Sequence, residues 1–273
     1  MALARSIIKT LLAYCLIQVL VFFVFFRLWG FSGSFFLLFL GVQLVFYPAI
    51  LVFLLKNQAY FYHIRSGERE TVLNGANKIT LFRISMLPLL VFLTRYCTAK
   101  PGSPAAAGPV LAGAFALTFA TDFVDGRIAR TRGLETYIGR ILDSVSDYLL
   151  LGVSAGAFFF FRILKPWLFW AITGRLIFNS LVMLILFLVR KELRPQTTPM
   201  GKLAIAVIMI LLVIEAAQPV LRNLAPPGAT ARWIGRAELA AAMVIVISMI
   251  DKLIYLIRGL RRGPGANPEP VSA

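Results

Sequence analysis

Eight long apolar runs, separated by short polar or basic links, dominate the chain. They extend approximately over Leu11–Phe26, Ser34–Leu55, Ile79–Leu93, Val110–Val124, Ile141–Phe161, Trp167–Val189, Leu203–Val220 and Ala237–Ile257. A helix needs about 20 predominantly apolar residues to cross the hydrocarbon of a bilayer, and most of these runs approach that length. The pattern therefore predicts an all-α integral membrane protein with eight spans. Composition agrees, with 59% hydrophobic residues among 273 and a mean hydropathy of +0.83, which excludes an ordinary soluble domain. The first run has only a short basic lead, Arg5 and Lys9, and no small-residue cleavage site before Arg27. It is expected to be a retained helix, although an uncleaved signal anchor would have the same pattern.

Charge sets the expected orientation. The net charge is +16, which on a membrane protein points to topology and anionic lipid, with no nucleic-acid partner. Of the 28 Lys and Arg residues, 19, Lys252 among them, fall on one side of the eight-span layout. The excess puts both termini on the cytoplasmic side of the inner membrane. Cys15 and Cys97 have no metal-ligand spacing, and His63 lies in a loop.

Against this background the acidic residues stand out. The chain has five aspartates, and four of them, Asp122, Asp125, Asp143 and Asp147, lie within 26 residues beside apolar runs. Carboxylates are costly near a bilayer, and four together repel one another, so the group calls for a cation. Hard divalent ions prefer such oxygen ligands. Asp122 and Asp125 are i and i+3; Gly139, Asp143 and Asp147 are i, i+4 and i+8. Each set projects from one helix face. A polar link, Thr131 to Tyr137 with Gly133 as a helix stop, would let the two helices pack as an antiparallel pair with their carboxylates facing. The cluster falls at the cytoplasmic end of its spans.

The full pattern, D-x2-D-G-x2-A-R-x8-G-x3-D-x3-D from Asp122 to Asp147, resembles the signature of the CDP-alcohol phosphotransferase family at every specified position. Eight specified residues at roughly 5% each make a chance match on the order of 10⁻¹⁰ per start. The resemblance implies a homodimeric membrane enzyme with a six-helix core. It implies transfer of a substituted phosphate from a CDP-linked donor to an alcohol with release of CMP. It also implies two divalent metals, Mg²⁺ with Mn²⁺ as the alternative, on Asp122, Asp125, Asp143 and Asp147, with Asp147 also the catalytic base. Gly126, Ala129, Arg130 and Gly139 would receive the CDP group. The segment Asn77-x2-Thr80-x2-Arg83 is similar to the one that opens the family core. Asn77, Thr80 and Arg83 share a face, join the expected CDP-binding set, and Asn77 is expected to cap the helix.

On this basis the chain divides into an accessory transmembrane hairpin (1–55), a cytoplasmic interfacial segment (56–76), the six-helix core (77–262) and a disordered Pro-rich tail (263–273). Small residues of the fifth span, Gly152, Ser154, Ala155, Gly156 and Ala157, favour close helix packing, at a dimer interface among other places. Arg175 lies deep in the sixth span and Lys202 follows Gly201 at the start of the seventh. These Gly-Arg and Gly-Lys pairs look like those of the phosphatidylglycerophosphate synthase branch and are expected to hold an acceptor phosphate. The chain departs from that branch at Tyr148, at Leu176 and after Lys202. The expected reaction is transfer from CDP-diacylglycerol to glycerol 3-phosphate. The alternatives are another acceptor (inositol phosphate, serine), or CDP-choline or CDP-ethanolamine with diacylglycerol. A remoter alternative is a divalent-cation transporter, whose site belongs at the midplane between repeats.

Overall fold

The computed structural model describes residues 2–64, 66–99, 106–131, 135–190, 198–218, 220–221 and 228–261; helix positions 99, 123, 125–131, 190 and 259–261 are described by backbone alone. Among the described residues eight α-helices account for nearly everything. They are α1 (Ala2–Trp29), α2 (Gly33–Lys56), α3 (Gly75–Ala99), α4 (Ala107–Thr131), α5 (Tyr137–Phe160), α6 (Pro166–Arg190), α7 (Pro199–Ala216) and α8 (Ala229–Arg261). One 3-10 turn, Gln58–Tyr60, follows α2. Seven of the helices, all but α4, are long and apolar enough to cross a membrane. The eighth, 25 residues long, packs against α3 and α7. The protein is thus an all-α, multi-pass membrane protein.

The helices run past the apolar runs that predicted them. α1 begins at Ala2 and α8 continues to Arg261, because helix hydrogen bonding carries through polar ends that hydropathy does not register. The expected Val220 end of the seventh span is not reached as helix α7, which stops at Ala216. The tail 263–273 and Gly133 lie outside the described residues.

α3 is the axis of the fold. In its most apolar stretch 78% of residues are buried, against 17% for α1 and 22% for α2. Such burial fits a helix surrounded by protein, and α1, α2, α4 and α5 all pack on it. Among the described residues α4 and α5 do not form the expected direct antiparallel pair. Each packs on α3 instead, because α3 supplies a cation that both acidic faces share.

Aromatic packing and a polar seam tie the hairpin α1–α2 to α3. The Phe22 and Phe39 rings, both fully buried, stack at 3.9 Å, and Phe92 of α3 meets each of them edge-on. Trp29 stacks on Tyr96, whose hydroxyl donates to the Trp29 carbonyl at 2.7 Å. In the middle of the seam, Gln43 Nε2 donates to Gln18 Oε1 at 3.0 Å, and Gln18 Nε2 donates to the Ser85 carbonyl. Nearer the start of α3 Tyr14 Oη donates to the Lys78 carbonyl at 3.0 Å. Buried amides of this kind act as interhelical glue in lipid.

Residues 57–64 and 66–74 form an ordered strap. Ile64 N donates to the Glu135 carbonyl at 3.0 Å and Tyr137 N to the Tyr62 carbonyl at 3.1 Å. Leu73 N donates to Ser6 Oγ at 3.2 Å. The strap therefore joins the starts of α1, α3 and α5. Tyr62 stacks on Tyr137 at 5.5 Å. The small residues of α5 divide between environments: Ser154 and Ala155 are buried inside the bundle, whereas Gly156 faces open space.

Gln18→Leu removes the central bond of the seam while preserving apolar bulk. It should destabilise the protein by about 1–2 kcal/mol, the scale of interhelical hydrogen bonds in lipid, read as an earlier midpoint in SDS-driven unfolding of the detergent-solubilised protein.

Candidate active site

Three aspartates converge on one arginine. Asp122 projects from α4, and Asp143 and Asp147 lie one turn apart on α5, as their four-residue spacing requires. One ligand oxygen from each lies within 4.8 Å of the others. Arg83 of α3 stands between the two helices, fully buried. Its Nη1 bonds Asp122 Oδ1, its Nη2 donates to Asp143 Oδ1 at 2.7 Å, and Nη1 lies 3.4 Å from Asp147 Oδ1. The planar guanidinium suits this role because it presents several donors in fixed directions. Three carboxylates against one guanidinium leave a local charge of −2. Asp143 is the open member, with its side chain 53% exposed, whereas those of Asp122 and Asp147 are 21% and 15% exposed. Hard oxygen donors this close, with a residual negative charge and one exposed carboxylate, fit a divalent cation. The cluster can therefore hold a metal ion.

Asp125, Gly126, Ala129 and Arg130 lie in α4, but their side chains are outside the described residues. Asp125 follows Asp122 by three residues, so the helix carries both on neighbouring positions of one face.

The start of α3 differs in one respect from expectation. Asn77 does not cap the helix. Asn74 does, its Oδ1 accepting from Asn77 N at 2.7 Å, and α3 begins at Gly75. The Asn77 amide is engaged elsewhere: its Nδ2 donates to Thr136 Oγ1 at 3.1 Å and to Glu70 Oε2 at 3.3 Å. Thr136 is itself the N-cap of α5, accepting from Gly139 N at 3.1 Å. Thr80 and Arg83 follow on the same buried face, with Thr80 Oγ1 donating to the Ala76 carbonyl at 3.2 Å.

Gly139 has a reason visible in this geometry. A Cβ there would sit 2.6 Å from Asn77 Oδ1 and 2.8 Å from Thr136 Oγ1. Only glycine lets the starts of α3 and α5 approach this closely.

Arg175 and Lys202 are brought near each other, but not as a matched pair. Arg175 is 1% exposed, with Nε donating to Ser248 Oγ at 3.0 Å and Nη2 to the Gly201 carbonyl at 2.8 Å. Among the described residues its Nη1 is buried without a hydrogen-bond partner. Lys202, next to Gly201 in the first turn of α7, is exposed. The buried lysine of this region is Lys252, one turn beyond Ser248 on α8 and 6% exposed, its Nζ 4.9 Å from the centre of the Tyr255 ring. Positive-inside counting treated Lys252 as a topology residue. The signal that could have found it is the i, i+4 spacing of Ser248 and Lys252, well inside a helix that runs to Arg261. Glu70 was likewise missed, lying in a segment read as a surface link.

Comparison with known proteins identifies the family. The sequence model of CDP-alcohol phosphatidyltransferase matches residues 73–257, more than half of the chain, and includes all the residues above except Glu70. The chain belongs to the CDP-alcohol phosphatidyltransferase family. α1 and α2 precede the matched region. A Rickettsia bellii protein named CDP-diacylglycerol--glycerol-3-phosphate 3-phosphatidyltransferase is 41% identical over 81 residues, covering 29% of this chain and 40% of its own length. A Bacillus subtilis protein of the same name is 32% identical over 111 residues, covering 37% of this chain and 56% of its own length. A Mycobacterium tuberculosis protein named probable phosphatidylglycerophosphate synthase is 34% identical over 84 residues, covering 31% and 39%. The chain thus spans about two fifths to just over half the length of these relatives.

Gly139→Ala should force Asn77 or Thr136 out of its hydrogen bonds. Overpacking of this kind costs about 1–3 kcal/mol. The expected readout is a lower thermal midpoint, together with weakened binding of free CDP by calorimetry.

Proposed function

We propose that this protein transfers a phosphatidyl group from CDP-diacylglycerol to glycerol 3-phosphate, releasing CMP. The observation that carries the reading is the meeting of Asp122, Asp143 and Asp147 within 4.8 Å, inside the region matched to the family. The names of the partial relatives support the donor and acceptor.

The proposed metal set is Asp122, Asp125, Asp143 and Asp147 with two Mg²⁺ ions. When bound, such ions supply positive charge to the pyrophosphate and the departing CMP. The chain's own residues do the rest. The acceptor oxygen attacks the phosphorus distal to cytidine, and the bond from that phosphorus to the bridging oxygen breaks. Asp147 takes the hydroxyl proton, and CMP leaves with the bonding electron pair. The side chain of Asp147 is only 15% exposed, a setting that limits competition from water. Arg83 holds the carboxylates in register. Asn77, Thr80, Gly126, Ala129, Arg130 and Gly139 are assigned to the CDP group, where Gly139 leaves room at the start of α5.

The acceptor phosphate is assigned to Arg175, whose buried Nη1 lacks a hydrogen-bond partner among the described residues. Lys252 beside it and the exposed Lys202 add positive charge. A dianion suits a site with several cations. α6 meets α5 just beyond Asp147, since a Cβ on Gly152 would lie 3.8 Å from Leu176 Cδ1. The excess of Lys and Arg supports a site on the cytoplasmic face of the inner membrane, where water-soluble acceptors are accessible. A homodimer is the proposed assembly, supported by the outward face of α5, where Val145, Leu149 and Val153 are exposed beside the open Gly156.

The test is an assay of purified protein with labelled CDP-diacylglycerol and glycerol 3-phosphate, scoring CMP and the lipid product. Asp122→Asn, Asp125→Asn and Asp143→Asn should each lower turnover by orders of magnitude, and EDTA should do the same. Full turnover in EDTA refutes the metal assignment. Asp147→Asn should abolish transfer while retaining CDP binding.

Arg175→Ala should raise KM for glycerol 3-phosphate at least tenfold, on the order of a charged hydrogen bond, with KM for the donor nearly unchanged. Arg175→Lys should recover part of that loss. If diacylglycerol is accepted in place of glycerol 3-phosphate, the phosphate-clamp assignment is wrong.

A further inference from the structure

Glu70 lies on the strap, outside the helices and outside the family-matched region, yet it is 8% exposed. Glutamate is rarely buried without a partner. Its Oε2 accepts from Asn77 Nδ2 at 3.3 Å, and its Oε1 lies 3.9 Å from His63 Nε2. Its backbone N donates to the Phe61 carbonyl at 2.9 Å, which fixes the residue against the strap's own turn. We propose that Glu70 is a positioning residue for the nucleotide end of the site, acting through Asn77. This inference rests on the reading of Asn77 as part of the CDP-binding set.

The reason is the symmetry of an amide. A primary amide presents a donor and an acceptor of nearly equal size, and either can occupy either position. Thr136 Oγ does not decide between them, because a hydroxyl can donate or accept. Its distances to the two amide atoms reflect this: 3.1 Å to Nδ2 and 3.4 Å to Oδ1. An ionised carboxylate only accepts, so Glu70 requires that Nδ2 face it. Asn77 Oδ1 is then directed at the glycine-lined gap, the point where a Cβ on Gly139 would come within 2.6 Å. The strap thereby orders an amide of α3 that borders the start of α5. Asn74, which caps α3, and Asn77 of α3 approach the carboxylate without charge, and among the described residues His63 is its titratable neighbour. Burial raises the pKa of Glu70 above the usual carboxylate value, and its hydrogen bonds with Asn74 and Asn77 and the nearby His63 oppose that rise.

The protonated acid can donate as well as accept, so it no longer fixes the amide. Glu70 is ionised above its raised pKa and loses that charge as pH falls through it. The ordering of Asn77 is therefore present at higher pH and fades on the acid side.

The test compares KM for CDP-diacylglycerol, kcat and thermal midpoint in wild type, Glu70→Ala and Glu70→Gln across a pH series. Glu70→Ala should raise KM for the donor about tenfold, the scale of one hydrogen bond to a charged group, with kcat within about twofold. Glu70→Gln, which like the protonated acid can donate as well as accept, should show a raised donor KM already at neutral pH. It should also abolish the acid-side rise in donor KM that wild type shows. A Glu70→Gln profile identical to wild type, or a Glu70→Ala protein with unchanged donor KM and only a lower thermal midpoint, overturns the proposal. Calorimetry of free CDP with Asn77→Ala separates the two layers. Unchanged affinity there refutes the nucleotide reading itself, and the proposal with it. Lost affinity in Asn77→Ala with normal affinity in Glu70→Ala refutes the positioning role alone.

Discussion

The structure depends on one guanidinium being buried among carboxylates. Arg83 is fully enclosed, on the helix with the most protein around it, and it bonds Asp122 from one neighbouring helix and Asp143 from another. Neither party is tolerable alone in this setting. A buried arginine without anions, or converging aspartates without a cation, would carry several kcal/mol of uncompensated desolvation. Together they hold α4 and α5 against α3 and set the separation of the carboxylates. The residual negative charge that makes the cluster suitable for a metal ion follows from the same count of three against one.

The scaffold around this cluster keeps it near the polar edge of an apolar bundle. The strap fastens the starts of α1, α3 and α5 by hydrogen bonds of its backbone, whose geometry is less forgiving than side-chain packing. Gly139 permits the closest approach in this region, and Thr136 and Asn74 each cap the helix that follows. Deeper in the bundle a second polar centre, Arg175 with Ser248 and the Gly201 carbonyl, joins α6, α7 and α8. The two centres divide the charge of the core between an anionic mouth and a cationic interior. That polarity suits the proposed transfer between two phosphate-bearing substrates.

Much of this was legible in the sequence, and particular residues mark where legibility stopped. The aspartates could be grouped because helical periodicity translates spacing directly into a shared face, as it does for Asp143 and Asp147. Asn77, Thr80 and Arg83 were found on one face for the same reason. Periodicity does not say which helix stands between two others, so the direct pairing of α4 with α5 was expected and α3 was found in the middle. Two asparagines three residues apart, Asn74 and Asn77, are equally good caps on local grounds. The choice between them is made by Thr136 and Glu70, which are distant or unremarkable in sequence. Lys252 was counted with the topological charges because its burial depends on how far α8 extends past the apolar run.

The strap has a consequence for how the molecule is made. Its bonds join residues far apart in the chain: Leu73 reaches back to Ser6, and Ile64 reaches forward to Glu135. Arg83 likewise waits for Asp143, sixty residues later. Contacts of such long range form late, after the loop entropy of the intervening helices has been overcome. During synthesis α3 must therefore enter the bilayer with its arginine unneutralised. The hairpin α1–α2, complete by then and already offering Gln18 and Tyr14 to the same helix, is placed to hold α3 until the acidic helices arrive. In the finished structure the same contacts persist as the polar seam between the hairpin and α3.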